Sequence, residues 1–213
     1  SLYIDSLQRS VLTNSVEESI DSSGKQAAQS IANWLNARVM LTEMAGNAAG
    51  KAVDVTGIEA VLQNDVLVGE FMTTYIGDEA GVFTQWPKTP MPEGYDPRQR
   101  PWYQDAVKAG GSVLTEPYID ASTNELIISA ATPVKHDGKV LGVAGSDFSL
   151  KSLVDMVNSV DLGGMGFAFL VNKNGQILVH QDKGLVTKTL AYAFPEATPA
   201  IGGGIAHTTY AGN

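Results

Sequence analysis

The chain contains no cysteine among its 213 residues. A disulfide framework and a thiolate metal site are therefore excluded, although the compartment in which the protein works stays open. The sequence also lacks any run of about 18 apolar residues, the length that a membrane helix needs. A basic region followed by an apolar one is missing from the N-terminus. We expect neither a membrane span nor a signal peptide, so a membrane could be reached through segments outside these residues alone.

Basic residues are scarce. Lys and Arg number 14 against 23 Asp and Glu, which gives a formal net charge of −9. This balance argues against nucleic acid or anionic lipid as a partner, but it says little about small ligands, because a pocket sets its own local field. The hydrophobic content of 44% is that of a globular protein able to bury a core. The length suffices for one large or two small modules.

Signatures of catalysis and of cofactors are missing as well. Paired carboxylates suit acid–base chemistry, yet the sequence has no Gly-x-Ser-x-Gly elbow, no Walker loop and no His-Glu-x-x-His motif. The three histidines are widely separated: His136, His180 and His207. The glycines at 163, 164 and 166 lie between a predicted helix and a strand, the reverse of the dinucleotide context. We therefore expect no enzyme, no cofactor and no metal.

What the chain does contain begins with a long helical pattern. Residues 1–49 have no proline and only two glycines, and their apolar side chains recur mostly every three to four positions. This spacing predicts an amphipathic helix. Some 45 residues at about 1.5 Å each would form a rod of roughly 65–70 Å, long enough to span two stacked modules. A long helix packed along one domain is the alternative.

The remaining sequence alternates strand and helix patterns. The predicted elements are a hairpin within residues 70–86, a proline-rich loop over 86–97, a helix over 100–109, strands over 113–118, 126–134 and 139–148, a helix over 149–160 and a second hairpin within 166–180. His136-Asp137-Gly138 is a strong hairpin turn signal between the last two of those strands. The proline-rich loop must cross the surface or cover a pocket.

These elements predict an α+β fold. A long N-terminal helix is followed by two related modules with antiparallel sheets, and the second module looks incomplete because few residues remain after Leu190. The predicted division is a helix over residues 1–52, a first module over 53–160 and a partial second module over 161–213.

Residues 95–147 gather side chains able to hold both ends of a small zwitterion. Arg100 offers a planar fork of donors that matches a carboxylate, and the indole N–H of Trp102 is a further donor. Asp120 and Asp147 supply the negative charge that an ammonium needs, while aromatic faces wall the site. One arginine and two ionised aspartates leave the empty site at −1. A zwitterion therefore suits the site better than a simple carboxylate or a sugar.

Each of these residues also has a purely structural interpretation. Arg100 alone would be an ordinary surface arginine. Asp120 could simply open a turn, and Asp147 could cap the helix that follows it. Tyr95 and Tyr118 could be core aromatics with their hydroxyls at the rim.

The same residues carry a family resemblance. The order Tyr, Arg-x-Trp-Tyr, Tyr-x-Asp and a later Asp falls on Tyr95, Arg100, Trp102, Tyr103, Tyr118, Asp120 and Asp147. This pattern resembles the amino-acid-binding subset of the double Cache (dCache) extracellular sensor domains of bacterial chemoreceptors, sensor kinases and nucleotide cyclases. The resemblance is clear from about residue 70 to residue 160, and its modules are PAS-like.

The resemblance implies a function. The chain would be the periplasmic ligand-binding domain of a methyl-accepting chemotaxis protein in the inner membrane, with residues 53–160 as the membrane-distal, ligand-binding module and residues 161–213 as the membrane-proximal one. Its ligand would be an L-amino acid or an analogue such as γ-aminobutyrate. Arg100 and Trp102 would hold the carboxylate, and the two aspartates with tyrosine oxygens would hold the ammonium. A homodimer would form through the N-terminal helix. A sensor histidine kinase or diguanylate cyclase ectodomain and a structural adhesion module without ligand are the alternatives.

Overall fold

The computed structural model describes residues 3–8, 14–52, 54–159, 166–172, 174–196, 198 and 205–209. Contacts divide the chain into two compact units. The central unit comprises residues 35–149, and the terminal unit combines residues 1–34 with residues 150–213. The long N-terminal helix contributes a stretch to each unit.

The described residues form six α-helices and ten strands. The helices are α1 (Asn14–Ala52), α2 (Val55–Leu62), α3 (Asp65–Glu70), α4 (Pro101–Ala109), α5 (Leu150–Asn158) and α6 (Leu190–Ala193). The strands are β1 (Tyr3–Gln8), β2 (Thr73–Asp78), β3 (Phe83–Trp86), β4 (Val113–Leu114), β5 (Tyr118–Ile119), β6 (Leu126–His136), β7 (Lys139–Ser149), β8 (Gly166–Val171), β9 (Ile177–Val179) and β10 (Ile205–Thr209). None of the helices within the described ranges is both long and apolar enough to cross a membrane.

The sheet of the central unit has six antiparallel strands. Their order is β3-β2-β7-β6-β4, and β5 also pairs with β6. At its centre β6 and β7 form a hairpin whose turn residues, Asp137 and Gly138, both have positive φ, 47° and 77°. A two-residue turn with positive φ at both positions matches the twist of the strands, and Asp-Gly adopts it readily. The hairpin turn predicted at this point is confirmed.

Helices cover both faces of this sheet. On one face α4 packs through Trp102, in a cluster that includes Tyr75 of β2. On the other face α1 and α2 pack through Ala49 and Leu62 against Ile76. Tyr75 and Ile76 point to opposite faces because neighbouring residues of a strand alternate. The aromatic residues of the predicted site therefore share the α4 face.

The terminal unit has its own sheet of four strands in the order β10-β1-β8-β9. Strand β1 pairs antiparallel with β8 and parallel with β10. The prediction of helix from residue 1 is therefore wrong at its start, because α1 begins at Asn14 and Tyr3–Gln8 is a strand. Sheet pairing with distant segments overrides the local pattern there. The second sheet is small, as expected, and strand β1 adds to it from the N-terminal segment.

The α+β fold class is confirmed, and so are most of its elements. The two predicted hairpins are β2-β3 and β8-β9, and the two shorter predicted helices are α4 and α5. The strand predicted over residues 113–118 is split into β4 and β5. Pro117 cannot donate to a ladder, and Thr115 pairs with Ser129 through its side chain as well as its backbone.

Candidate ligand-binding site

A cavity lies over the α4 face of the central sheet. It holds about 300 Å³ of empty space, part of which is open to solvent. Six of the seven predicted site residues line it: Tyr95, Arg100, Trp102, Tyr118, Asp120 and Asp147. The guanidinium and both carboxylates singled out from the sequence are thus brought to one cavity.

Arg100 enters the cavity from the start of α4. It is the N-cap residue, with an extended backbone, and Pro101 occupies the first helical position. Its Nη2 donates to the carbonyl of Ile119 at 2.8 Å, and its Cζ lies 5.6 Å from the ring centroid of Tyr118. Within the described part of the chain, no carboxylate lies within ion-pair distance of this guanidinium. Its remaining donors are left for an anion.

Asp147 lies at the centre of the sheet and is only 4% exposed. Its Oδ1 accepts from the hydroxyl of Tyr75 at 2.5 Å and from Ser129 Oγ at 2.6 Å. Because Ser129 donates to Asp147, the hydroxyl of Tyr118, 2.6 Å from Ser129 Oγ, must be the donor in that contact. Oδ2 has no hydrogen-bond partner among the described residues. The helix-capping alternative for Asp147 is wrong, since its side chain is committed to this network within the sheet.

Burial controls the protonation of Asp147. It raises the pKa of this carboxyl to about 7, although hydrogen bonds from Ser129 and Tyr75 pull in the opposite direction. The negative charge of Asp120 adds to the rise and the positive charge of Arg100 opposes it. The empty site is therefore divided between protonated and ionised Asp147 near neutral pH, and a cation bound at Oδ2 would favour the ionised form.

Asp120 stands at the opening of a turn and also lines the cavity. Its Oδ2 accepts from Ser122 Oγ at 2.8 Å and from Thr123 Oγ1 at 2.7 Å. Partial burial would raise the pKa of Asp120, but the hydrogen bonds from Thr123 and Ser122 outweigh it and lower the pKa below its usual value. The turn-opening role is thus present, and it keeps an ionised carboxylate at the rim of the cavity.

The tyrosine hydroxyls of the cavity remain neutral donors. Burial raises the pKa of Tyr95 to about 12, against the effect of a hydrogen bond with Trp102 and of the charge on Arg100. Burial, reinforced by the charge of Asp147, raises the pKa of Tyr75 and of Tyr118 well above the usual range. Neutral hydroxyls add no charge to the site, so its electrostatics are set by the arginine and the two aspartates.

Gly145 of β7 allows the Tyr75 hydroxyl to reach Asp147. A Cβ at Gly145 would lie 2.3 Å from Cε2 of Tyr75, so the ring crosses the strand where any other residue would carry a side chain. The ring has no room to retreat, because it packs against Phe83 with centroids 5.4 Å apart and against Trp102 at 4.6 Å. Gly145 therefore determines the position of the network around Asp147.

We expect Gly145→Ala to displace Tyr75 and to weaken both the fold and the site. Overpacking of this kind costs about 1–3 kcal/mol of unfolding free energy, measured by chemical denaturation. Gly69→Ala is the matched control, because nothing lies within 4 Å of a Cβ at Gly69, and it should be neutral or slightly stabilising. Equal stability of the two variants would contradict this role of Gly145.

Tyr103 is the one predicted site residue that does not line the cavity. It is 9% exposed and packs edge-on to Trp102, with ring centroids 5.6 Å apart. Adjacent residues of a helix diverge by about 100°, so only one of the two aromatics faces the cavity. Tyr103 supports Trp102 from behind.

Sequence reasoning missed seven residues of the lining: Thr73, Tyr75, Phe83, Gln85, Met91, Ala121 and Ser122. Four of them lie on β2 and β3, which the sequence identifies as a hairpin without indicating that it borders the site. The register of β2 against β7 is the signal that could have identified the residues of β2. Thr73 pairs with Asp147 across the sheet, and Asp147 pairs with Ser129, so all three share one row on the same face.

The fold and the cavity define a ligand-binding domain. An arginine and two acids line one cavity, and its described lining contains neither histidine nor cysteine. The family model of the Cache domain, dCache_1, matches residues 5–212. The chain belongs to the Cache domain family.

Similar proteins are bacterial chemotaxis receptors rather than enzymes. The chain is 39% identical over 213 residues to the methyl-accepting chemotaxis protein PctB of Pseudomonas aeruginosa, covering 100% of this chain and 34% of that protein. It is 41% identical over 203 residues to McpG of Pseudomonas putida, covering 95% of this chain and 32% of that one. The chain thus spans about a third of the length of these relatives.

Solved structures of ligand-binding domains are also similar. That of the Pseudomonas fluorescens chemoreceptor CtaA with L-serine has a TM-score of 0.84 and 41% identity, over 89% of this chain and 83% of that one. The ligand-binding domain of PctB with L-arginine has a TM-score of 0.84 and 39% identity, over 89% of this chain and 81% of that one. The ligand-binding domain of the Pseudomonas aeruginosa receptor PctC with γ-aminobutyrate has a TM-score of 0.79 and 39% identity, over 89% of this chain and 87% of that one. The fold is that of amino-acid chemoreceptor domains.

Proposed function

We propose that this chain is the sensor domain of a bacterial transmembrane chemoreceptor, and that it binds a free amino acid or a close analogue in the central unit. One observation carries the proposal. Arg100 and Asp147 line the same cavity, the first without a carboxylate partner among the described residues and the second with Oδ2 unused. A zwitterion satisfies both groups at once, whereas a ligand with one charged end leaves the other group desolvated and unpaired.

In the proposed complex the ligand carboxylate accepts from the guanidinium of Arg100 and from the indole N–H of Trp102, which in the empty protein is bonded to Tyr95. The ammonium lies against Asp147, with Asp120 and the oxygens of Tyr95 and Tyr118 nearby. Tyr103 takes part only indirectly, through Trp102. The named similar structures hold L-serine, L-arginine and γ-aminobutyrate, which supports this choice of ligand class.

We place the chain in a receptor of the cell membrane, facing the periplasm. The module predicted over residues 53–160 would then be the membrane-distal one, and the partial module predicted over residues 161–213 the membrane-proximal one. The support is the family and the relatives, which are methyl-accepting chemotaxis proteins. An output through a kinase or a cyclase is the rival. Fusion of the chain to the membrane and cytoplasmic parts of a chemotaxis receptor should give taxis toward its ligand, and absence of any response would count against this assignment.

Signal transmission would begin at β7 and at the proline-rich loop. Ser146, next to Asp147, shares a buried 3.0 Å hydrogen bond with Thr42 of α1. In the loop, Lys88 forms a 2.7 Å ion pair with Glu59 of α2. Ligand that draws in the loop and β7 would therefore pull on two helices. If so, Thr42→Val should leave the ligand Kd within about threefold while weakening the response of the fused receptor.

We also propose that the full receptor is a homodimer through α1. Met40 and Met44 of this helix are 61% and 64% exposed, which is unusual for large apolar side chains and leaves a surface for a second copy. Cysteine pairs introduced at these positions in the membrane-bound receptor should cross-link. Failure to cross-link, with cross-linking at another helix face, would reject this interface.

A scan of the proteinogenic amino acids and γ-aminobutyrate by thermal shift tests the proposed ligand class. A ligand present at 100 times its Kd should stabilise the folded protein by about 2.7 kcal/mol. We expect a clear rise in melting temperature for at least one of them. No rise with any of them would favour an adhesion module, and turnover of a ligand would favour an enzyme.

A further inference from the structure

The lining of the cavity changes in chemistry from one side of the central sheet to the other. Its charged residues lie on one side: Arg100 against β5, Asp120 directly after β5, and Asp147 on β7. The other side is formed by β2, by the edge strand β3 and by the loop that follows β3. It contributes Thr73, Phe83, Gln85 and Met91, none of which carries a charge. We call these four residues the edge compartment.

We infer that the edge compartment receives the side chain of the ligand and selects an uncharged one. The inference rests on the proposed function, because it takes Arg100 and Asp147 as the partners of the carboxylate and the ammonium. The ligand carboxylate and ammonium then lie on the β5 and β7 side of the cavity. The ligand side chain therefore extends towards β3, at the edge of the sheet.

Charged side chains have no partner in the edge compartment. A second carboxylate would lie beside Asp147 without a cation, since Arg100 is the one cation of the described lining and is occupied by the first carboxylate. A second ammonium would lack an acid of its own, because Asp147 is occupied by the first ammonium and the Asp120 carboxylate is held by its own turn on the far side of β7. An unpaired charge in a desolvated site is costly, so both classes are discriminated against.

Within the edge compartment, the side chain of Gln85 is held in place by two hydrogen bonds. Its Nε2 donates to the carbonyl of Thr89 at 2.6 Å, and its Oε1 accepts from Thr89 Oγ1 at 3.1 Å. Both ends of the amide are therefore engaged by the loop that carries Met91. The pair holds Gln85 in one orientation and offers the ligand a surface that is uncharged and largely satisfied. Phe83 and Met91 add apolar contacts, which suits aliphatic or small neutral side chains.

Calorimetry on the wild-type protein tests the inference first. Alanine, valine, serine and glutamine represent the neutral class; aspartate, glutamate, lysine and arginine represent the charged one. We expect the best neutral amino acid to bind at least about tenfold more tightly than every charged one. A charged amino acid that binds as tightly as the best neutral one overturns the inference and leaves the proposed function standing. Absence of binding by all eight overturns the inference, and absence of binding by the other proteinogenic amino acids and γ-aminobutyrate as well overturns both.

Charge placed at Gln85 tests the compartment directly. Gln85→Arg should tighten glutamate or aspartate binding at least about tenfold relative to wild type, and Gln85→Glu should do the same for lysine or arginine. Gln63→Arg is the matched control, because Gln63 is an exposed residue at the end of α2, outside the cavity, and it should leave every affinity unchanged. Gln85 variants that melt like wild type and keep its preference would overturn the assignment of Gln85.

Discussion

Arg100→Ala should abolish amino-acid binding while leaving the fold intact. Truncating one partner of a desolvated charge pair costs about 2–5 kcal/mol, which corresponds to a Kd raised by roughly 30-fold to several thousandfold. The expected loss is large because the guanidinium has no other anion to balance among the described residues. In the described part of the chain it is held by a hydrogen bond to the Ile119 carbonyl and by the contact with Tyr118. Isothermal calorimetry measures the effect.

Two variants separate this role from a general change in charge. Lys108→Ala removes the same charge from the exposed end of α4 and should leave the Kd within about twofold, because exposed charges contribute little. Arg100→Lys keeps the charge but loses the planar fork, so binding should be intermediate. Binding by Arg100→Ala at wild-type strength would remove Arg100 from the site.

Asp147→Asn should stabilise the empty protein at alkaline pH and at the same time destroy ligand binding. The amide oxygen can still accept from Tyr75 and Ser129, so the network survives, while the negative charge that the ammonium requires is lost. Opposite effects on stability and on binding distinguish a functional carboxylate from a structural one.

The sign of the stability effect follows from the pKa of Asp147, which burial raises from 3.8 to about 7. The folded protein binds this proton more tightly than the unfolded chain does. The contribution of Asp147 protonation to the stability of the folded protein is full below the unfolded-state pKa and is lost as pH rises through about 7. Each pKa unit corresponds to about 1.4 kcal/mol, so at pH 8 the asparagine variant should be more stable by a few kcal/mol and at pH 4 roughly equal. Denaturant titrations at the two pH values measure the difference.

Binding by the wild-type protein should depend on pH in the opposite direction. An ammonium favours ionised Asp147, so below pH 7 the ligand must displace a proton, and affinity should fall towards about tenfold per pH unit. Above pH 7 the affinity should level off until the ligand amine itself loses its proton. A flat profile between pH 5 and pH 8 would contradict the assignment of the ammonium to Asp147.

Local patterning predicts the part of the site that consecutive residues form, whereas Tyr95, Tyr118, Asp120 and Asp147 are predicted through the family resemblance. Arg100, Trp102 and Tyr103 lie within one turn of a helix that Pro101 begins, so local patterning places them correctly. Which aromatic faces the cavity depends on helix rotation against the sheet, and only the structure reveals that it is Trp102.

Local sequence patterns do not predict the residues that strand pairing brings to the site. Tyr75 is 72 positions from Asp147, and their contact depends on β2 pairing with β7 in one register and on the absence of a side chain at Gly145. The raised pKa of Asp147 has the same origin, since burial is a tertiary property. The prediction of helix at Tyr3–Gln8 is wrong for the same reason, because the pairing partners of this strand lie more than 150 residues away.

Recognition of both ends of one ligand by Arg100 and Asp147 is tested most directly by calorimetry with three matched compounds. They are the tightest-binding amino acid, its carboxamide and its deaminated acid. The account predicts that the amino acid binds and that each analogue, which lacks one charged end, binds at least about 100-fold more weakly. An analogue that binds within about threefold of the amino acid would contradict it.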